Sequence, residues 1–319
     1  MLWLLIAILA YLILAVVALV DKYLLVTAIT NPKLYTFYVG VLGLLVWCLV
    51  PWVGFKILPI EQLILSLLSG ALFIYGIFYY YRGIQLYAAS AIVPALGSLL
   101  PLFMFGLILI ISFGQESLSL FQIIAFILLI MGSALITYQP KKASDSSQTS
   151  HWPSLKLASS AAFFLALSFV LVKYVYLVQP FWPVFIWRST GGFLTALVFF
   201  LIYPEIKKAI FQKPKLLQKN FSLKMFIFLA NQAAGAGATI LQNWAIFLAP
   251  LIYVPFVQAL SGLQYVFLFI FSIWLSLFAV FWRKSGLKEE ISFRILMQKS
   301  LAILLIGLGL ALLAFGDNF

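Results

Sequence analysis

Charge is what this sequence has least of. Of its 319 residues 9% are charged and 65% hydrophobic, whereas a water-soluble domain carries about 25% charged residues. Such a chain has too little polar surface to cover a globule in water, and it belongs in a bilayer. Cysteine and histidine are nearly missing as well. The single Cys48 excludes a disulfide within the chain and reads as a small buried hydrophobe inside an apolar run. The single His151 lies in a polar stretch. There is no His-Glu-x-x-His, no paired Asp motif and no glycine-rich phosphate loop. The acidic residues are Asp21, Glu61, Glu116, Asp145, Glu205, Glu289, Glu290 and Asp317, all at the ends of apolar runs or between them. General acid–base work or metal binding at mid-membrane needs a carboxylate or imidazole there. The sequence therefore reads as a non-enzyme with no metal and no cofactor.

What is present is a series of long apolar runs. A bilayer crossing needs about 20 mostly apolar residues. Ten such runs are predicted, over 2–20, 34–53, 62–81, 87–113, 118–138, 157–178, 181–203, 223–247, 251–282 and 295–315. The first is longer than a signal-peptide core and lacks a basic leader, so it reads as a membrane span. The fourth and ninth exceed one crossing and are expected to tilt, kink at proline or project. The net charge of +12 does not point to nucleic acid, because the Lys and Arg sit in short clusters between apolar runs.

A polar run, QPKKASDSSQTSHWPSLK over 139–156, falls near the midpoint. It is too polar to bury a core of its own and reads as a solvated linker. It separates two five-span blocks, 1–138 and 157–319, that resemble each other in order. LVDKYLL matches LVKYVYL, with Lys22 and Lys173 in corresponding places. PKLYTFYVGVLG matches PFWPVFIWRSTGG. Arg82 through Leu99 matches Asn243 through Leu260 without a gap. Five is odd, so the second copy enters the membrane from the opposite side. The expected fold is an all-α integral membrane protein of ten transmembrane helices in two inverted five-helix repeats.

The segment from Tyr81 to Tyr138 resembles the EamA-type repeat of the drug/metabolite transporter superfamily. The matching positions are the small-residue turn Ala88–Ser90, then Pro101-Leu102, Glu116, Gln122 and Gly132. The second half departs from that pattern. Gly262 stands where Pro101 would be, and the acidic turn is longer, with Glu289 and Glu290. The resemblance implies a secondary transporter whose third, fourth, eighth and ninth helices help to line a central cavity.

The polar residues inside the spans are the candidate site. Asn231, Gly235, Thr239 and Gln242 recur at helical spacing on the eighth span. A carboxamide in hydrocarbon needs partners. This face is either interhelical glue or the lining of a polar cavity. Gln258, Ser261, Gly262 and Tyr265 share a face of the ninth span, Tyr75, Tyr79 and Arg82 a face of the third, and Ser90, Pro94, Gly97, Ser98 and Pro101 a face of the fourth. Lys173 and Arg188 are the basic residues set within spans. Either they snorkel to the headgroups, or they face inward and favour an anionic or zwitterionic substrate. The candidate substrate-binding set is thus Tyr75, Tyr79, Ser98, Lys173, Arg188, Asn231, Thr239, Gln242, Gln258, Ser261 and Tyr265.

No carboxylate or imidazole lies at mid-span to relay protons. Asp21 is followed by Lys22 and reads as a neutralised helix end. The sequence therefore favours alternating-access transport of a small organic metabolite without an intramembrane proton relay. The alternatives are a lipid or polyprenyl-phosphate flippase, which Lys173 and Arg188 could serve as headgroup contacts, and a non-transporting scaffold or accessory subunit. The expected partners are a small-molecule substrate and the lipid bilayer of a plasma or inner membrane. A monomer suffices, and a homodimer is compatible with it. With ten spans both termini lie on one side. The loops opposite them and their flanks hold 17 of the 20 Lys and Arg. The termini side has Lys56, with Lys173 and Arg188 inside spans. Short basic loops stay cytoplasmic, so the termini are expected outside and the linker inside.

Overall fold

The computed structural model describes residues 2–25, 32–87, 89–113, 118–138, 151–211, 221–278 and 293–315. Every regular element among them is helical. The long helices are α1 (Leu2–Leu25), α2 (Pro32–Val53), α3 (Ile60–Leu86), α4 (Ala89–Ile111), α5 (Leu120–Thr137), α6 (His151–Tyr176), α7 (Phe181–Ile202), α8 (Phe221–Leu248), α9 in two pieces (Val254–Ala259 and Ser261–Phe278) and α10 (Phe293–Phe315). Among the described residues, eight stretches are long and apolar enough to cross a bilayer, in α2 to α7, α9 and α10. The chain is a helical membrane protein.

Local chemistry explains the starts and the corrections. Ser119 and Gln122 form a reciprocal capping box that opens α5. Pro180, in extended conformation, opens α7. α6 begins at His151, not after Lys156, because Pro153 in a first turn has no intrahelical N–H to lose. The linker reading is corrected to that extent, and its 139–150 portion lies outside the described residues. The loop after α7 is not all irregular, since Pro204–Phe211 forms a short helix. α2 is α-helical only to Gly43 and continues as a 3₁₀ stretch over Leu44–Leu49. Cys48 lies in that stretch and is exposed, not buried. α4 stays continuous through Pro94 and Pro101. α9 breaks at Leu260, where no proline stands.

The packing alternates direction. Ser69 meets Ser168 and Gln62 meets Gln179, so α3 and α6 run antiparallel. Gly70 faces the backbone of Arg188 and Gly192, while Phe78 meets Phe199 and Tyr203 further along, so α3 and α7 run parallel. α1 lies antiparallel on α8, with Val17 against Gly235 and Tyr11 against Gln242. α10 packs on α5, and its Gln298 amide donates to the Leu135 and Tyr138 carbonyls at the end of α5. One buried apolar cluster runs through both halves. A smaller one, around Phe37, Ile74, Phe78 and Phe199, fills the α2–α3–α7 seam.

Two ends result. The near end carries the start of α1 and the α2–α3, α6–α7 and α8–α9 connections. Aromatic rings pack across it: Tyr176, Phe181, Trp182, Trp244 and Phe247 in one group, Trp47, Phe55 and Trp187 in another. The far end carries Pro32, Leu86, His151 and the short helix after α7.

Candidate functional site

Two polar clusters sit inside the helix bundle. The first lies where α1, α8 and the break of α9 meet. A helix end leaves the carbonyls of its last turn in need of donors. The Tyr11 hydroxyl supplies one, donating to the Val257 carbonyl at 2.8 Å. Its oxygen accepts from the Gln242 amide at 3.0 Å, and the same amide reaches Gln258 Oε1 at 3.4 Å. Gln258 is 3% exposed, and its Nε2 donates to no atom of the described residues. A buried amide nitrogen without an acceptor is costly. Asn243, fully buried one residue from Gln242, donates to the Thr239 carbonyl.

The second cluster centres on Arg188 of α7. It is 4% exposed, yet it has no carboxylate partner among the described residues. Two serines hold it. Ser69 donates to the Ser168 carbonyl at 2.9 Å, and Ser168 donates to the Ser69 carbonyl at 2.8 Å. Each hydroxyl proton is thus committed across the α3–α6 seam, which turns the oxygen lone pairs toward the guanidinium. Arg188 Nε donates to Ser69 Oγ at 3.2 Å and Nη2 to Ser168 Oγ at 3.3 Å. The faces of Phe73 and Phe169 complete the shell, 4.6 and 5.4 Å from the guanidinium carbon. The approach of α7 to α3 is close enough to demand glycine. A Cβ on Gly70 would lie 1.8 Å from the Arg188 carbonyl oxygen, and one on Gly191 2.1 Å from that of Leu67.

Lys173, 2% exposed, does not snorkel to the headgroups but is buried among the helices. Its ammonium donates to the carbonyls of Phe247 and Ala249, at 2.9 and 2.5 Å. A cation there satisfies the carbonyl end of α8 and its dipole. It ties α6 to the α8–α9 junction.

The other sequence-named residues are scattered around these clusters. Thr239 bonds back to Gly235 of its own helix, and Ser98 to Pro94 of its own. Tyr79 stacks on Phe164, and Tyr75 packs edge-on to Phe199. Asn231 is buried on α8. Ser261 and Tyr265 open the second piece of α9. Gly262, the departure from the first-half pattern, leaves room for Ser133 of α5, whose Cβ would stand 2.9 Å from an added methyl. The structure brings Gln242 and Gln258 together and keeps them apart from Arg188 and Lys173, which sit on other helices. Tyr11, which joins the two glutamines, escaped the sequence reading. A tyrosine in an apolar run is an ordinary packing or interface residue, and only its partner 246 positions away marks it.

A cavity of about 510 Å³ opens at the far end, lined by Pro32, Lys33, Phe78, Arg82, Gln85, Tyr203 and Glu205. None of these is in the candidate set, although Arg82 shares the α3 face named for Tyr75 and Tyr79. Lys33 pairs with both oxygens of Glu205, at 3.1 and 2.9 Å. The side chains of Asp21 and Lys22 lie outside the described residues, as do Glu116, Glu289 and Glu290.

No family model matches the chain, and no curated protein does. Solved structures do match, 28 chains among them. One, described only as a crystal structure of a protein, superposes with a TM-score of 0.61 at 18% identity. The match covers 98% of this chain and 94% of that one. At that identity the likeness bears on the fold alone.

Proposed function

We propose that this chain is a secondary transporter of the drug/metabolite type, moving a small organic solute by alternating access through ten spans in two inverted repeats. One observation carries the reading. The broken α9 places a buried, unpartnered amide donor, Gln258 Nε2, among helices of both halves. Interrupted helices at a repeat interface are where carriers of this architecture hold their solutes. The pairing of helices supports it. α1 lies on α8 as α6 lies on α3, and α5 with α10, like α2 with α7, joins the halves, which is the exchange an inverted repeat requires. The contrast of ends also supports it, with aromatic packing at one and a cavity at the other. A scaffold has no use for an open cavity or an unsatisfied buried amide. Among the described residues, neither buried cluster contains a carboxylate or an imidazole.

Counterflow into proteoliposomes, run against a panel of organic metabolites, tests this. At least one solute should exchange. Gln258→Leu should lower its rate by about tenfold, the loss of a hydrogen bond worth about 1.4 kcal/mol, without loss of folded protein. Exchange of no solute, or an unchanged rate in the variant, would refute the reading. The far end is assigned to the cytoplasm by its basic residues, with the termini outside. A cysteine at Ser147 should resist an impermeant thiol reagent in intact cells, in a Cys48→Ala background, and react after lysis; labelling of intact cells reverses the assignment.

A further inference from the structure

We infer that the far-end cavity is an organic-anion site in which Arg82 supplies the recognising charge. The inference deepens the carrier reading, since it names the chemistry that the open end admits. The cavity has a volume of about 510 Å³, inside the range of roughly 300–1,000 Å³ typical of small-molecule sites. Three charged side chains line it. Two of them cancel. The Lys33 ammonium bridges both oxygens of Glu205 and lies 4.5 Å from the centre of the Tyr203 ring. Arg82 is exposed and bonds to no other described residue. The charge left over is positive, and Arg82 presents it on a planar fork suited to carboxylate or phosphate.

The rest of the lining fits the body of such a ligand. Gln85 follows Arg82 by three positions, on the same face of α3, and adds a neutral amide. Phe78 precedes it by four, and its ring lies nearly parallel to that of Tyr203, with centroids 6.4 Å apart. These rings give an apolar wall to a flat or greasy group. A cation would have to compete with Lys33 for Glu205, the one carboxylate among the described lining residues. The sequence repeat sharpens the point. Arg82 corresponds to Asn243 of the second half, which sits at the near end, fully buried and bonded to its own helix. The two equivalent positions thus differ as the two ends do: the open one carries the free charge, the closed one a neutral amide.

Titration calorimetry on the purified, detergent-solubilised chain, with phenyl phosphate and benzoate as probes and benzylamine as the opposite-charge control, tests this. Both anions should bind saturably, and benzylamine should not. Arg82→Gln should weaken anion binding by about tenfold or more, the size of a lost charge-assisted contact, and Arg82→Lys should recover part of it. Glu205→Gln removes the carboxylate from the lining and should tighten binding. Short-chain phosphatidic acid distinguishes the source of the anion. If it competes more strongly than phenyl phosphate, the site takes a lipid headgroup; if it competes equally or less, the site takes a free solute. Anion binding indifferent to Arg82, or no anion binding at all, overturns the inference. Because binding is read without transport, counterflow of a neutral or cationic solute beside failed anion binding would remove this inference and leave the carrier reading standing. Arg82-dependent binding without exchange of any solute would do the reverse.

Discussion

The two buried polar clusters answer the same problem in opposite ways. Around Arg188 a full charge is taken out of water without a carboxylate counter-ion among the described residues, and two hydroxyls and two rings are arranged around it. Two serines cross-donate to free their lone pairs, two phenyl faces close the sides, and glycines let the backbones seal the seam. Around Tyr11 nothing is charged, yet two buried atoms lack partners among the described residues, Gln258 Nε2 and Asn243 Oδ1. Tyr11 and Gln242 are partnered, while Gln258 Nε2 is not. The first cluster sits between unbroken helices and holds three of them together. The second sits at a break and leaves a donor available. A buried charge therefore need not mark a binding site, and a neutral amide can be the better candidate for one.

Substitutions at the seams should separate the two most sharply. Gly70→Val drives a side chain into the α7 backbone, and overpacking of this kind costs about 3 kcal/mol or more. We expect a large fall in the thermal midpoint of the purified protein. Gly237→Val on α8, where an added Cβ meets nothing within 4 Å, should leave the midpoint nearly unchanged. Equal effects would show that α3 and α7 do not approach as described.

Removing the hydroxyls at Arg188 should have the next largest effect. The pair Ser69→Ala and Ser168→Ala leaves the guanidinium unsatisfied, at about 1–3 kcal/mol for each lost partner. Replacing the charge in the same background, with Arg188→Met added, should recover most of the loss, because an apolar residue of similar volume needs no partners. Failure of Met to rescue the midpoint would show that Arg188 is not held through these serines.

Tyr11→Phe should produce the smallest change in stability. Interhelical hydrogen bonds in membranes average about 0.6 kcal/mol, and this change removes the bonds to Val257 and Gln242. The midpoint should shift slightly while counterflow falls as far as in Gln258→Leu. A stability loss as great as that of the serine pair would make the Tyr11 cluster structural, like the one around Arg188.

Much of the fold is legible in the residues because hydropathy acts locally. A run of apolar residues long enough to cross the bilayer must close its own backbone hydrogen bonds, so it is a helix whatever surrounds it. The helix starts at Ser119 and Pro180 and the polar residues on α8 and α9 follow from the same local chemistry. The break at Leu260 was not read from the sequence, although the Ser261-Gly262 pair that follows it directly is a signal that could have found it.

What the sequence by itself determined is that this chain lives in a membrane as a succession of helices, with polar groups confined to particular faces. What it left open is which of those faces meet. Lipid tails are as apolar as a leucine face, so no hydrophobic force dictates how one apolar helix turns toward another. That choice rests on close packing and on finding partners for polar groups far apart in the chain. It joins Tyr11 to Val257 and Ser69 to Ser168, and it gathers Lys33, Arg82 and Glu205 around one cavity. Only the tertiary structure decides it, because each of those groups is satisfied, or left free, by residues that no local pattern connects to it.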